Sequence, residues 1–113
     1  MAGYYELKTM SNGNHMFVLK AGNHQVILTS QGYKEKRSAQ AGIESVRKNG
    51  VDDGRYERKT AANGSPYFNL IATNGQIIGS SEMYSGTSAM ENGVQSCKTH
   101  CVSETVKDLS AVA

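Results

Sequence analysis

The residues best placed for chemistry in this chain stand close together near its C-terminus: Cys97, His100 and Cys101. On a helix, side chains three and four apart share a face, so this trio can converge on a soft metal ion. A structural zinc site takes four ligands, and no fourth is evident, because His15 and His24 fall in the other half of the chain. A cysteine nucleophile needs a base and a group to orient that base. His100 adjoins Cys101, but sequence neighbours on a helix do not face each other. Free cysteine usually behaves as a small buried hydrophobe, and packing is the expected role of Cys97 and Cys101. No metal site and no cofactor is implied.

The carboxylates offer no better catalytic case. Glu6 and Glu57 each precede a lysine by two positions on one strand face, which suits surface charge pairs across strands. The repeated Ser30-x-x-Tyr33 and Ser81-x-x-Tyr84 fall between a strand and a helix, where loops often carry function. Both copies keep these residues, so a structural role is expected: serine holding the turn, tyrosine packing over the helix entry. With no catalytic set in view, the chain reads as a non-enzyme.

What positions all of these residues is a repeat. Slid by 51 positions without gaps, residues 5–49 fall onto 56–100 with 16 identities in 45 pairs. Each unit reads as three strands and a helix. The first unit has strands 5–9, 15–21 and 25–30 and a helix over 38–49; the second has strands 56–60, 66–72 and 76–81 and a helix near 89–100. Asn12-Gly13 and Asn63-Gly64 suit tight hairpins, since both residue types tolerate positive φ. Ser88-Ala89-Met90-Glu91 fits a capping box. Gly42 and Gly93 sit on the buried helix stripe and are expected to let the helix lie close on the sheet. Short extended pieces follow each helix, at 51–54 and 102–107.

Alternation in the second strand of each unit separates two faces. Phe17, Leu19 and Ala21, with Phe68, Leu70 and Ala72, repeat identically and should meet the helices. Met16, Val18 and Lys20, with Tyr67, Asn69 and Ile71, form the other face. In the third strand Val26, Ile27 and Leu28 are consecutive and apolar, so alternation does not say which side faces in.

At 113 residues the chain fits one domain, and each half alone is near the lower limit for an independent core. The expected fold class is α+β: two tandem β-β-β-α(-β) repeats forming one antiparallel sheet with two helices on one face, related by a pseudo-twofold. The expected layout is a single domain over 1–113, with repeats at 4–54 and 55–107 and a flexible tail at 108–113. No apolar run approaches the roughly 18 residues of a membrane span, and no secretory signal is visible, so the cytoplasm is the default. Net charge is +2. Residues 1–50 carry seven Lys/Arg against three Asp/Glu, and residues 51–113 carry five against seven.

The combined pattern is Tyr-Glu-x-Lys, Asn-Gly, Phe-x-Leu-x-Ala-x-Asn, Ile-x-x-Ser-x-x-Tyr, and a Gly-Ile/Val-x-Ser helix. It resembles the YegP-like family, small bacterial proteins built from a short domain of unknown function, often in tandem. The resemblance covers about residues 3–108. It implies one antiparallel sheet made from two β3-α-β units, with final strands that can cross between halves. It brings no activity, substrate or catalytic residue.

The expected function is therefore a non-enzymatic binding or protein-interaction module, monomeric as a pseudo-dimer. A partly apolar open sheet face is the candidate surface, with Met16, Val18, Tyr67 and Ile71 as its binding residues. The alternative is weak RNA or DNA binding through the sheet face and the basic first repeat, where Lys34, Lys36 and Arg37 cluster. Sparse aromatics, the absence of tryptophan and near-balanced charge weigh against it.

Overall fold

The computed structural model describes residues 3–109. Its elements run β1 (Tyr4–Thr9), β2 (His15–Lys20), β3 (Val26–Ser30), α1 (Lys36–Asn49), a 3-10 turn at Asp53–Arg55, β4 (Tyr56–Thr60), β5 (Pro66–Ile71), β6 (Ile77–Ser80), α2 (Thr87–His100) and β7 (Val106–Asp108). One seven-stranded sheet has the order β4-β5-β6-β3-β2-β1-β7. All pairings are antiparallel except β1 with β7, which is parallel. Both helices pack on one face, α1 against β1, β2, β5 and β6, and α2 against β2, β3 and β5. The architecture is α+β, with the two repeats joined edge to edge through β3 and β6.

The strands are joined by one turn used four times. Asn12, Asn23, Asn63 and Asn74 each accept, through Oδ1, the N–H two residues on, at 3.0–3.1 Å. The following residue adopts positive φ: Gly13 at 86°, His24 at 70°, Gly64 at 87° and Gly75 at 84°. Only that residue is left-handed, so the hairpins are not the two-residue type the Asn-Gly pairs suggest. The asparagine instead folds its side chain onto its own backbone. A bulge between Leu19 and Lys20 pairs Lys20 with Val26 and Leu19 with Leu28. It resolves the ambiguous apolar run: Ile27 and Leu28 join the core, while Val26 lies on the opposite face beside Lys20.

The repeat-invariant loop residues are structural. Ser30 Oγ accepts the Phe17 N–H at 2.9 Å and donates to the Gln31 carbonyl at 2.8 Å; Ser81 does the same for Phe68 and Glu82. Tyr33 stacks on Phe17 and Tyr84 on Phe68, with interplanar angles of 11° and 10°. These stacks explain the helix glycines. A Cβ on Gly42 would lie 2.7 Å from the Tyr33 hydroxyl, and one on Gly93 would collide with the Tyr84 hydroxyl and lie 2.6 Å from its Cζ. Gly93 admits the tyrosine of its own repeat, while Gly42 also lets the helix lie close on the sheet, since its Cβ would come within 2.8 Å of the Phe17 ring.

The two halves meet around a pseudo-twofold that passes between Thr29 and Ser80, which face each other across β3 and β6. Identical large residues cannot share such an axis. Leu28 is fully buried beside it, and its counterpart is Gly79, where a Cβ would lie 3.0 Å from Leu28 Cγ. At the helix ends Cys101 faces its counterpart Gly50, where a Cβ would lie 2.7 Å from the cysteine sulfur. In each pair one half fills the space the other leaves.

Three expectations are corrected. Residues 51–54 are not extended but form a turn leading into the 3-10 segment, because β4 begins at once. Only the second repeat's terminal piece becomes a strand, and it crosses to β1. That strand includes Asp108, and the Leu109 N–H reaches the Leu7 carbonyl at 2.7 Å, so 108 and 109 are part of the sheet. Residues 110–113 lie outside the described residues. Finally, α2 starts at Thr87 with Gly86 as N-cap and no side-chain cap, because Glu91 is drawn to Arg58 of β4 at 2.7 Å.

Gly93→Ala tests the packing of the second stack. Helix propensity alone would make alanine stabilising by about 1 kcal/mol. Overpacking against Tyr84 should instead destabilise the protein by about 1–3 kcal/mol in urea unfolding; a gain in stability would contradict the contact.

Candidate functional site

The face of the sheet opposite the helices carries no other element among the described residues. The strand registers align one row across it: Glu6, Val18, Thr29, Ser80, Asn69 and Glu57, continued at the edge by Lys107 beside Glu6. The second half of this row is hydrogen-bonded. Ser80 Oγ donates to Asn69 Oδ1 at 2.6 Å, and Asn69 Nδ2 donates to Glu57 Oε1 at 3.3 Å. The first half is ionic, with Glu6 bound by Lys20 at 2.9 Å and Lys8 at 3.5 Å. Desolvation acts to raise the Glu6 pKa, but the Lys20 bond and the two lysine charges outweigh it and hold the carboxyl below its usual range. The middle of the face is therefore a polar band.

The four residues singled out from sequence do not form one patch. Val18 lies in the band, flanked by Glu6 and Thr29, and is only 4% exposed, so a partner cannot reach much of it. Met16, Tyr67 and Ile71 are half-buried. By register Met16 and Ile71 fall on one side of the band and Tyr67 on the other. With β3 and β6 between β2 and β5, Met16 and Ile71 are about 14 Å apart. Two residues that alternation left unassigned extend the apolar flanks: Val26 beside Lys20 and Ile77 beside Ile71. Only the bulge registers reveal them.

One corner of the face differs between the repeats. Tyr4 donates or accepts a 2.7 Å bond with His24 Nδ1, and Lys107 sits over its ring at 4.3 Å. The second repeat has Arg55 and Gly75 at these places. The basic segment is elsewhere: it leads into α1 on the helix layer, where Lys36 pairs with Asp108 at 2.5 Å and Arg37 with Glu35 at 3.3 Å. On that layer a groove of about 260 Å³ opens between the β2–β3 turn and α2, lined by Ala21, Gln25, Ile27, Tyr84, Gly93 and Ser96.

The Cys97–Cys101 cluster is dispersed. Both cysteines are fully buried, and the Cys101 sulfur points to Gly50. His100 turns away, its Nδ1 accepting the Gly3 N–H at 3.1 Å. Burial pushes the Cys97 thiol up to about 12, a bond with Tyr56 offsetting only part of it, and raises Cys101 as well.

Comparison with known proteins places this geometry. A family model described as a domain of unknown function, DUF1508, matches residues 11–57 and again 61–108. The chain belongs to this family. It is 54% identical over 108 residues to the UPF0339 protein YegP of Escherichia coli K12, covering 96% of this chain and 98% of the relative. It is 56% identical to a UPF0339 protein of Bordetella pertussis, with 96% of each covered. The solution structure of the Escherichia coli YegP, a protein of unknown function, matches with a TM-score of 0.94 at 51% identity, over 100% of this chain and 97% of that one. A UPF0339 protein of Shewanella oneidensis matches at 0.92 and 51%, over 97% and 93%. These relatives are uncharacterised and carry no enzymatic name. No helix among the described residues is long and apolar enough to cross a membrane.

Thiol chemistry checks the site assignment. At pH 8 neither cysteine of the native protein should react with Ellman's reagent on the timescale of the unfolded chain, and both should appear together on unfolding. Added zinc should not alter this. A rapidly reacting native thiol, or one protected by zinc, would restore the metal or nucleophile reading.

Proposed function

We propose that this protein is a non-enzymatic binding module whose partner is another protein, engaged across the open sheet face. The observation that supports this most is the face itself. Up to seven strands wide, it presents a polar band of Thr29, Ser80 and Asn69 flanked by the half-buried side chains Met16, Val26, Tyr67 and Ile71 and the exposed Ile77. A hydrogen-bonding centre with apolar flanks suits a folded protein surface, where polar pairing gives register and burial gives affinity. The thiols are buried, and the rings of His24 and His100 are engaged in structure, which supports a role without catalysis.

The charge arrangement favours a protein over a nucleic acid. Lys8 and Lys20 are paired with Glu6, and Lys59 with Glu57 at 3.6 Å. Phosphate binding would have to break these pairs, and the basic segment before α1 is on the other layer. A phosphate-binding surface gains from free cations whose counterions it releases, and here carboxylates hold Lys8, Lys20 and Lys59 while Lys107 lies over the Tyr4 ring.

The joint substitution Met16→Ser with Tyr67→Ser tests the surface. It should change stability by about 1 kcal/mol or less while reducing capture of a protein partner from native lysate. Val18→Ser, which cuts into a buried site, should cost stability by about 1–2 kcal/mol. Capture that persists in the double variant, or that vanishes on nuclease treatment, would contradict a protein-binding face.

A further inference from the structure

We propose that the outer edge of β4 is an acceptor for an extended segment of another polypeptide, bound parallel and carrying the pattern apolar–Lys–Asp. This is independent of the open-face reading, because it uses the sheet's edge and backbone rather than its face. The precedent is inside the molecule. β1 and β4 are equivalent strands, Tyr5-Glu6-Leu7-Lys8-Thr9 and Tyr56-Glu57-Arg58-Lys59-Thr60. The outer edge of β1 is covered by β7, with Tyr5 beside Val106, Glu6 beside Lys107 and Leu7 beside Asp108. The Tyr5 N–H donates to the Thr105 carbonyl at 3.0 Å, and the Leu109 N–H to the Leu7 carbonyl at 2.7 Å.

At β4 the same edge carries no strand among the described residues. The repeat's own segment after α1 does not cover it, because that segment runs straight into β4. Its 3-10 turn supplies only one bond, from the Tyr56 N–H to the Asp53 carbonyl, in place of the Thr105 contact on β1. By equivalence with Tyr5 and Leu7, the Tyr56 carbonyl and both backbone groups of Arg58 remain on the open edge. These are the groups a parallel strand would use.

The side chains specify what fits. A segment bound as β7 is bound would set its lysine beside Glu57 and its aspartate beside Arg58. Both positions then oppose unlike charges, the incoming lysine joining the Glu57–Lys59 pair and the aspartate joining Arg58 beside Asp53 and Glu91. On β1 the second position is Leu7, and Asp108 relies on Lys36 from α1 instead. Arg58 is held in place by Glu91 and Asp53 through Nε and Nη2. The charges also exclude a simpler occupant. Two β4 edges meeting antiparallel about their outward-facing Arg58 would set the two Arg58 guanidinium groups against each other, as guarded edges do. A free segment would not displace β7 from β1, since β7 is tethered and acts at high effective concentration.

The probe is a capped peptide of the sequence of residues 103–109, Ser-Glu-Thr-Val-Lys-Asp-Leu, titrated into the 15N-labelled intact protein. Saturable shifts are expected at the Arg58 and Thr60 amides, with residues 105–109 of the protein unmoved. Exchanging Lys and Asp in the peptide should weaken binding at least threefold. Arg58→Pro removes the outward N–H at an edge position where proline is tolerated and should weaken it at least tenfold. Arg58→Glu keeps the N–H, reverses the charge, and should weaken it at least threefold. No shifts at millimolar peptide, shifts confined to β1 and β7, or equal binding by the exchanged peptide would each overturn the proposal.

Discussion

Two hydrogen bonds lock the helix ends of both halves into the core that the continuous sheet lets them share, and the packing is arranged around them. The Tyr5 hydroxyl, in the first repeat, donates to the Cys101 carbonyl at the end of α2; the Tyr56 hydroxyl, in the second, donates to the Gly50 carbonyl at the end of α1. A helix leaves its last carbonyls without intrahelical partners, and here those ends are driven together into the core. Each repeat satisfies the preceding carbonyls of its own helix end, but the carbonyl of the capping residue, Gly50 or Cys101, receives its donor from the other repeat. The Arg47 guanidinium lies 5.3 Å from the Tyr5 ring centre, and the Lys98 ammonium 6.0 Å from that of Tyr56. Burial pushes both tyrosines above their ordinary value of 10.0. Ionisation therefore favours the unfolded chain: the stability they carry is complete below about pH 10 and is lost as pH rises beyond it.

Fusion of the halves makes this centre possible in an asymmetric form. At a true twofold, Leu28 would meet Leu28 and Cys101 would meet Cys101, and neither pair fits. The chain places Gly79 and Gly50 opposite them, so close packing is kept without a void. The same asymmetry operates at the sheet edges. The piece following α2 is free to cross and cover β1, whereas the piece following α1 is consumed as the entry to β4. One edge is thus closed by the chain's own terminus, and the other carries charge.

Much of this was legible from residue pairing. Phe17, Leu19, Phe68 and Leu70 alternate in a way that only the helix-facing side of a sheet explains, and the spacing of Gly42, Ile43 and Val46 yields the helix. What was hidden depends on register. The consecutive Val26, Ile27 and Leu28 need the bulge to sort them. Val18 alternates as an outward residue, yet it is buried between Glu6 and Thr29 in the band. Glu91 completes a capping box in sequence but finds a stronger partner in Arg58, 33 residues away. The helix glycines carried a sign of close approach without naming the tyrosine that makes it. Chemistry was hardest to read, because a repeat preserves what the fold requires, and a partner surface is built from what differs.

If the reciprocal tyrosine bonds make the two repeats one cooperative unit, the most direct measurement is equilibrium unfolding of Tyr5→Phe and Tyr56→Phe. It should be followed by hydrogen exchange in both repeats. Each variant should lose about 1–3 kcal/mol, as expected when a buried acceptor is left unpaired. Both repeats should still unfold in one transition, with exchange in β2 and β5 rising together. A variant in which one repeat opens while the other stays protected, or one that loses no stability, would contradict the account.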